Sequence, residues 1–155
     1  MITVSRLHQL VRYIATHPQM ASSFGWGEDL PHILVEANDS INAAAGIGSK
    51  GRTLWINSGC LKLPEEQILF ILGHELAHLR YNDVYSTHTS WVIPAILGTL
   101  ASLKIGYAPL DLSVRILAII AIAGLTLSLS GWLYSAVWRR NEYRADRIGA
   151  QFGGH

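Results

Sequence analysis

Residues 74–78 read His-Glu-Leu-Ala-His, a spacing of residue types that suits metal-dependent hydrolysis. In a helix, positions i and i+4 lie on one face, so His74 and His78 can present two imidazole nitrogens to one metal ion. Glu75 is offset from that pair by one residue, and it can touch a metal-bound water without binding the metal itself. The three residues predict a zinc site with a glutamate general base.

A catalytic zinc ion takes three protein ligands and leaves one position for water, so a further ligand is needed. The best candidate is Glu142, in the run Asn-Glu-Tyr-Arg-Ala-Asp at residues 141–146. Asp146 follows one helical turn later, where it could accept a hydrogen bond from a ligand imidazole and fix its orientation. Taken without the histidine pair, the same run would be interpreted as a solvated helix face among arginines.

The composition is apolar and poor in charge. Hydrophobic residues make up 50% of the chain and charged residues 15%, against about 25% charged in an average soluble domain. The net charge of +1 gives no electrostatic footprint for nucleic acid, and we expect no nucleic-acid partner. The single Cys60 excludes an intrachain disulfide and a cysteine metal site, and it is expected to be a small buried hydrophobic residue.

Two uncharged runs account for the apolar excess. Residues 116–138 form a run of 23 residues, which as a helix is long enough to cross a hydrocarbon core of about 30 Å. Residues 84–103 form a weaker run because they include several polar residues and Pro94. With a loop at residues 104–115, the pattern predicts a transmembrane helical hairpin. Two core helices of a soluble all-α domain are the alternative, but the rest of the chain offers too little surface to cover them.

A hairpin would place the two metal motifs on the same side of the membrane. This accounts for the 64-position separation between His78 and Glu142. Five arginines flank the hairpin on the side of the metal motifs, whereas the hairpin loop carries only two basic residues. The positive-inside rule therefore predicts that the site lies on the cytoplasmic face. The five arginines are Arg80, Arg139, Arg140, Arg144 and Arg147.

The segment ahead of the metal motif predicts a helix and a small sheet. Apolar residues recur at helical spacing over residues 7–14, and the Pro64-led segment predicts a metal-binding helix to about Tyr81. Three short extended runs, 30–35, 41–45 and 53–57, predict strands, with a glycine-rich turn at 46–51. We therefore expect an α+β fold organised as residues 1–83, a hairpin at 84–138 and a third-ligand helix at 139–155.

Several short motifs occur in a recognisable order. They are Asn42-Ala43, a glycine-rich turn and strand, Gly-Cys-Leu at 59–61, Pro-Glu-Glu at 64–66, the motif at 74–78, Asp83, two apolar runs and the run at 141–146. The series resembles the family of membrane zinc metallopeptidases that includes the bacterial stress protease HtpX and the CAAX prenyl endopeptidases. That resemblance implies a small zincin-like domain interrupted by the hairpin, with one zinc ion per chain on His74, His78 and Glu142. It also implies Glu75 as catalytic base and Asp146 as support for a ligand histidine.

The resemblance further implies an endopeptidase of the bacterial inner membrane that cleaves proteins or peptides, as in membrane-protein quality control. Substrate is expected to lie extended along a strand edge near Asn42 and Ala43. HtpX-type chains carry a transmembrane pair ahead of this region and continue past the position of residues 153–154, where they supply an oxyanion-stabilising group. Here His155 and the nearby arginines are candidates for that group by proximity alone. A non-catalytic zinc-binding scaffold, a fragment of a longer peptidase and a metal-free membrane protein remain alternatives.

Overall fold

The computed structural model describes residues 1–21 and 30–154. The chain divides into two compact units, one of Met1–Asp83 with Asn141–His155 and the other of Val84–Arg140. Three strands and the helix of the metal motif belong to the first unit, and the second is built from helices. The predicted α+β class is confirmed for the described residues.

The first helix, α1, spans Val4–Thr16 and carries the predicted apolar stripe. The Thr3 side chain accepts a hydrogen bond from the Arg6 N–H, which satisfies a free donor at the start of the helix. Leu7, Leu10 and Ile14 are buried against the core. The helix ends at His17 because Pro18 follows, and a short helix, α2, covers Pro18–Ala21.

A three-stranded sheet packs beside the metal-motif helix. Its strands are β1 (His32–Glu36), β2 (Ala43–Gly48) and β3 (Gly51–Asn57), in the order β1-β3-β2. Strand β3 is central, parallel to β1 and antiparallel to β2. The buried side chains of Leu54 and Ile56 on β3 join the hydrophobic core. Strand β2 therefore lies at an edge of the sheet.

The glycine-rich turn predicted at residues 46–51 is shorter than expected. Gly46 and Gly48 continue strand β2, and only residues 49–50 form the turn. These two glycines serve cross-strand packing, because a Cβ on Gly46 would lie 3.3 Å from the Trp55 ring and one on Gly48 would lie 2.6 Å from Thr53 Oγ1. Glycine is required for the turn itself at Gly51, whose φ is +93°.

The metal-motif helix, α3, spans Glu65–Arg80 and begins one residue later than predicted, with Pro64 as its cap. A short 3-10 helix, Ser58–Lys62, precedes it, and Cys60 is buried there as expected. Ile68, Leu72 and Leu76 pack into the core shared with α1 and β3. The helix is thus anchored along its apolar side, which gives its histidines a rigid base.

Two long helices follow, α4 (Asp83–Gly106) and α5 (Leu112–Gly153). The second unit consists of α4 from Val84 and of α5 up to Arg140, and the rest of α5 belongs to the first unit. Both are long and apolar enough to cross a membrane, and only 6% of the most apolar stretch of α4 and none of that of α5 is buried. This exposure argues against the alternative of two soluble core helices, which would be mostly covered.

The connection covers residues 107–111 and is shorter than the predicted loop at 104–115, because both helices extend into that range. The Arg115 side chain donates hydrogen bonds to the carbonyls of Ala108 and Leu110 in this connection.

Two contacts give α4 and α5 an antiparallel pairing. Gly98 lies against the side chain of Thr126, and Ser130 Oγ lies 3.5 Å from the carbonyl oxygen of Trp91. Helix α5 is continuous through the boundary predicted at residues 138–139, because no glycine or proline occurs there to interrupt it. A single helix therefore carries both the second apolar run and the run at 141–146.

Candidate metal centre

The three side chains predicted as metal ligands lie together in the first unit. His74 Nε2 is 3.0 Å from His78 Nε2, both on α3. Glu142, on α5, places one carboxylate oxygen 3.5 Å from His74 Nε2 and the other 3.7 Å from His78 Nε2. One ligand atom from each residue thus lies within 4.8 Å of the others.

Small residues let α3 and the last part of α5 approach closely enough to bring Glu142 to the histidines. A Cβ on Gly149 would lie 2.8 Å from the carbonyl oxygen of Phe70, and one on Gly73 would lie 3.1 Å from the Cα of Gly149. Ala145, which follows Glu142 by three positions, is fully buried. Any larger residue at these positions would push the two backbones apart and withdraw Glu142.

Each imidazole is held by its own carboxylate. His74 Nδ1 lies 2.9 Å from Asp146 Oδ1, and His78 Nδ1 lies 2.8 Å from Asp83 Oδ2. Carboxylates accept hydrogen bonds, so these contacts assign the proton of each neutral ring to Nδ1 and leave the Nε2 lone pair free. Asp146 occupies the supporting position predicted for it.

The donor set fits a zinc ion. Two Nε2 atoms and two carboxylate oxygens face one another at 3.0 to 3.7 Å, an arrangement that a metal ion or an added proton between them stabilises. Tetrahedral coordination with Zn–N and Zn–O distances of about 2.0–2.2 Å places neighbouring ligand atoms about 3.3–3.6 Å apart. Among the described residues the cluster contains three ligand-type side chains, which leaves a fourth coordination position for another group.

Asp83 and Arg144 form an ion pair at the site that sequence reasoning did not predict. The Arg144 guanidinium binds the Asp83 carboxylate, donates to Asn141 Oδ1 at 3.1 Å and stacks over the Tyr81 ring at 4.0 Å from its centroid. Asn82, with φ +51°, turns the chain between α3 and α4 and sets Asp83 beside His78. The available signal was an aspartate five positions after His78. Arg144 is distant in sequence, and it was counted among the arginines that orient the hairpin and among the candidate oxyanion donors, not as a partner of Asp83.

The general-base candidate is buried next to the histidines. Burial raises the pKa of Glu75 to about 7, and the neighbouring His78 charge and a hydrogen bond from the Ala45 backbone act in the opposite direction. For His78, burial favours the neutral ring, but the Asp83 hydrogen bond and the nearby carboxylates outweigh it and raise the pKa. In the metal-free protein Glu75 is thus poised to change protonation near neutral pH, and the His78 ring keeps its proton to a higher pH than an ordinary histidine does.

The predicted substrate-binding residues lie at the start of β2. The Asn57 N–H donates to the Asn42 carbonyl at 2.9 Å, so Asn42 faces β3. By the alternation of an antiparallel ladder, the N–H and C=O groups of Ala43 and Ala45 face away from β3. The hydrogen bond between Ala45 and Glu75 places this edge beside the base. Of the predicted pair, Ala43 is therefore the residue whose backbone N–H and C=O groups point away from β3.

Comparison with known proteins identifies relatives along nearly the whole chain. A family model described as Peptidase family M48 matches residues 3–155. Proteins named Protease HtpX homolog from Burkholderia cenocepacia (strain HI2424) and Burkholderia mallei (strain SAVP1) are 26% identical over 157 residues, covering 98% of this chain and 52% of each relative. The homolog from Burkholderia multivorans is 25% identical with the same coverage. The chain thus spans about half the length of these curated relatives. No solved structure matches it significantly.

Proposed function

The chain belongs to peptidase family M48, and from this premise we propose that it is a membrane-anchored zinc endopeptidase with Glu75 as general base. The observation that carries the proposal is the cluster of two Nε2 lone pairs and one carboxylate that face one another within 4.8 Å. Two imidazoles already oriented by carboxylates are suited to a resident metal ion rather than to solvent.

His74, His78 and Glu142 would hold the zinc ion, one per chain. Bound there, zinc supplies Lewis acidity toward water and toward the substrate carbonyl. Asp146 and Asp83 keep each Nδ1 protonated, so that each Nε2 remains a ligand. Three protein ligands favour a catalytic site over a scaffold, since structural zinc sites are normally closed by four.

Glu75 would move the proton during hydrolysis. Its carboxylate accepts a proton from the attacking water and returns it to the leaving amine, a role that requires a pKa near the working pH. Burial already places the pKa of Glu75 at about 7 in the metal-free protein. The Ala45 hydrogen bond holds the carboxylate at the edge of β2, beside the path proposed for the peptide.

The substrate would be a protein or peptide bound as an added strand on β2. The outward backbone groups of Ala43 give main-chain hydrogen bonds to an extended chain, which do not depend on its sequence. Asn42 would contribute by fixing the start of the strand through its bond to Asn57. This arrangement requires a locally unfolded substrate, which is consistent with a role in membrane-protein quality control.

We also propose that α4 and the apolar part of α5 cross the bacterial inner membrane as a hairpin. Their length and exposed apolar surface support crossing, and the arginines near the metal motifs support a cytoplasmic site. The chain would then be organised as residues 1–83, a hairpin at 84–138 and a closing segment at 139–155. His155, a candidate oxyanion donor, lies outside the described residues.

Replacing Glu75 by Gln tests the catalytic proposal. We expect E75Q to retain one zinc ion per chain and to lose at least about 100-fold in the rate of cleavage of an unfolded protein, the lower range of a general-base contribution. E142A is the matched comparison, which should lose both zinc and activity. Cleavage by E75Q at the parent rate would contradict the mechanism, and zinc retained without cleavage in the parent would favour a scaffold.

A further inference from the structure

Strand β1 forms the edge of the sheet opposite β2. It pairs with β3 on one side, and no strand of the described residues lies on its other side. Four of its five residues are exposed, and Ile33 is partly exposed. An edge of this kind presents a row of backbone N–H and C=O groups that can pair with another chain.

Strand β1 lacks the features that usually prevent such pairing. Edge strands are commonly protected by a bulge, a proline or a charged side chain within the strand. The register of β1 with β3 continues without a bulge from His32 to Glu36, and the three residues between these ends are uncharged and apolar. Leu34 is 46% exposed and Val35 is 36% exposed. The middle of the edge is therefore suited to being covered by a further strand.

The residues of β1 are complementary to those of a second, antiparallel copy of β1. When Leu34 lies opposite Leu34 of the second copy, His32 lies opposite Glu36 and Ile33 lies opposite Val35. The same pairs recur on both sides of the two-fold axis, as in an isologous interface. An imidazole opposite a carboxylate is a favourable cross-strand pair. A register shifted by two residues would instead place Leu34 opposite a polar end of the strand, so this register is preferred.

The faces of the two sheets also match in this arrangement. Residues paired across β1 and β3 share a face, so Ile33 and Val35 lie on the same face as the core residue Leu54. Leu34 lies on the opposite face, beside Trp55. A two-fold axis perpendicular to the sheet keeps each face on its own side. The apolar side chains of the two copies therefore meet one another on both faces.

We propose that β1 is a homodimer interface, at which two copies of the chain join their sheets by antiparallel pairing centred on Leu34. The combined sheet has the strand order β2-β3-β1-β1-β3-β2. Both β2 edges lie at its outer ends, so the pairing leaves the edge beside each Glu75 open. Two five-residue strands cover less than the roughly 1,000 Å² of a stable interface, so we expect a weak, concentration-dependent dimer.

Disulfide formation at Leu34 tests the pairing in the full chain purified in detergent. Directly opposite residues of antiparallel strands have Cα atoms about 4.5–5.5 Å apart, which a disulfide can bridge. On oxidation we expect L34C to form a crosslinked dimer at least about tenfold faster than A44C, because pairing raises the effective concentration of the two thiols. Ala44 is the matched control, exposed on the same face of the sheet but on β2. The native Cys60 is buried and present in both variants.

Cysteines at the two ends of β1 test the register. In the proposed pairing, the two copies of His32 are separated by four residues along the strand, about 13 Å, and so are the two copies of Glu36. We therefore expect H32C alone and E36C alone to crosslink slowly, and a mixture of the two variants to crosslink rapidly. Equal rates in the mixture and in either variant alone would overturn the register.

A charge exchange in the L34C background tests the complementarity of the ends. H32E places a glutamate opposite Glu36 at both ends of the pair, so we expect the crosslinking rate to fall by about fivefold. The double variant H32E/E36H restores opposite partners and should recover the rate. Its recovery would also show that H32E does not simply unfold the strand. Equal crosslinking of L34C and A44C, or no recovery in the double variant, would overturn the proposal and leave the edge to a different partner.

Discussion

His74 and His78 each donate an Nδ1–H to a carboxylate, but the two carboxylates differ in their surroundings. The Asp146 side chain is 57% exposed, whereas that of Asp83 is 7% exposed and bound by Arg144. An exposed carboxylate can exchange its partner with water, but a buried one cannot lose its partner without leaving a charge unsatisfied. The two histidines look equivalent in sequence. However, His78 is bonded to a buried carboxylate within a network, whereas His74 is bonded to a solvent-exposed one.

The largest effect should come from removing the two carboxylates in turn. We expect Asp83→Ala to weaken zinc binding by about 100-fold and Asp146→Ala by about tenfold, the two ends of the range for such supporting partners. The difference arises because D83A also leaves the Arg144 guanidinium beside an empty, buried position. Zinc competition against a chromophoric chelator measures both, and equal losses would remove the distinction between the two histidines.

Arg144→Met should have a smaller effect in the same direction. The Asp83 carboxylate would keep its bond to His78 but lose the group that fixes its position, so we expect zinc affinity to fall by up to about tenfold. Arg144→Lys should recover little, because an ammonium group cannot reproduce the stacking on Tyr81. In a double-mutant cycle with Asp83→Asn, we expect strong non-additivity. Additive losses would show that Arg144 acts elsewhere.

The pH dependence of zinc binding should show the smallest but most specific effect. Zinc binds the neutral imidazole, and the pKa of His78 is raised, so affinity should fall as the pH drops through that raised pKa, by at most about tenfold per pH unit for each proton displaced. Asp83→Asn removes the hydrogen bond to a charged carboxylate, which lowers the pKa of His78. The acid loss of zinc should then begin at a lower pH, even though affinity at pH 8 is weaker. Asp111→Asn, in the connection between α4 and α5, is the control, and an unshifted midpoint in D83N would contradict the assignment.

The sequence supported the local parts of this site better than the distant ones. The spacing of His74, Glu75 and His78 defines a helix face directly, and the apolar runs indicated why Glu142 could return to it. The role of Asp83 was not predicted, because an aspartate after a helix is usually only a charged boundary residue. Its buried environment is produced by Arg144, which is 61 positions away in the chain. The Asp83–Arg144 pair could be predicted only if it were known that α3 and α5 pack closely at Gly73 and Gly149.

The glycines of the small sheet were also misinterpreted because their contacts are distant in sequence. Gly46 and Gly48 were interpreted as turn residues because glycine favours turns, whereas here they make room for Trp55 and Thr53 on the neighbouring strand. Cross-strand contacts depend on the register, and the register is not evident from a single sequence. The residues alone did not show that β2 is an edge strand. Only the family resemblance implied a strand edge near Asn42 and Ala43, and the strand order shows that β2 is at an edge.

The metal content and coordination of the full chain, purified in detergent, test the central claim most directly. Elemental analysis combined with X-ray absorption at the zinc edge should give one zinc per chain with two imidazoles and otherwise oxygen ligands. In E142A that zinc should be lost or much more weakly bound. Absence of zinc, a coordination shell closed by a further imidazole or sulfur, or zinc unchanged in E142A would contradict the account.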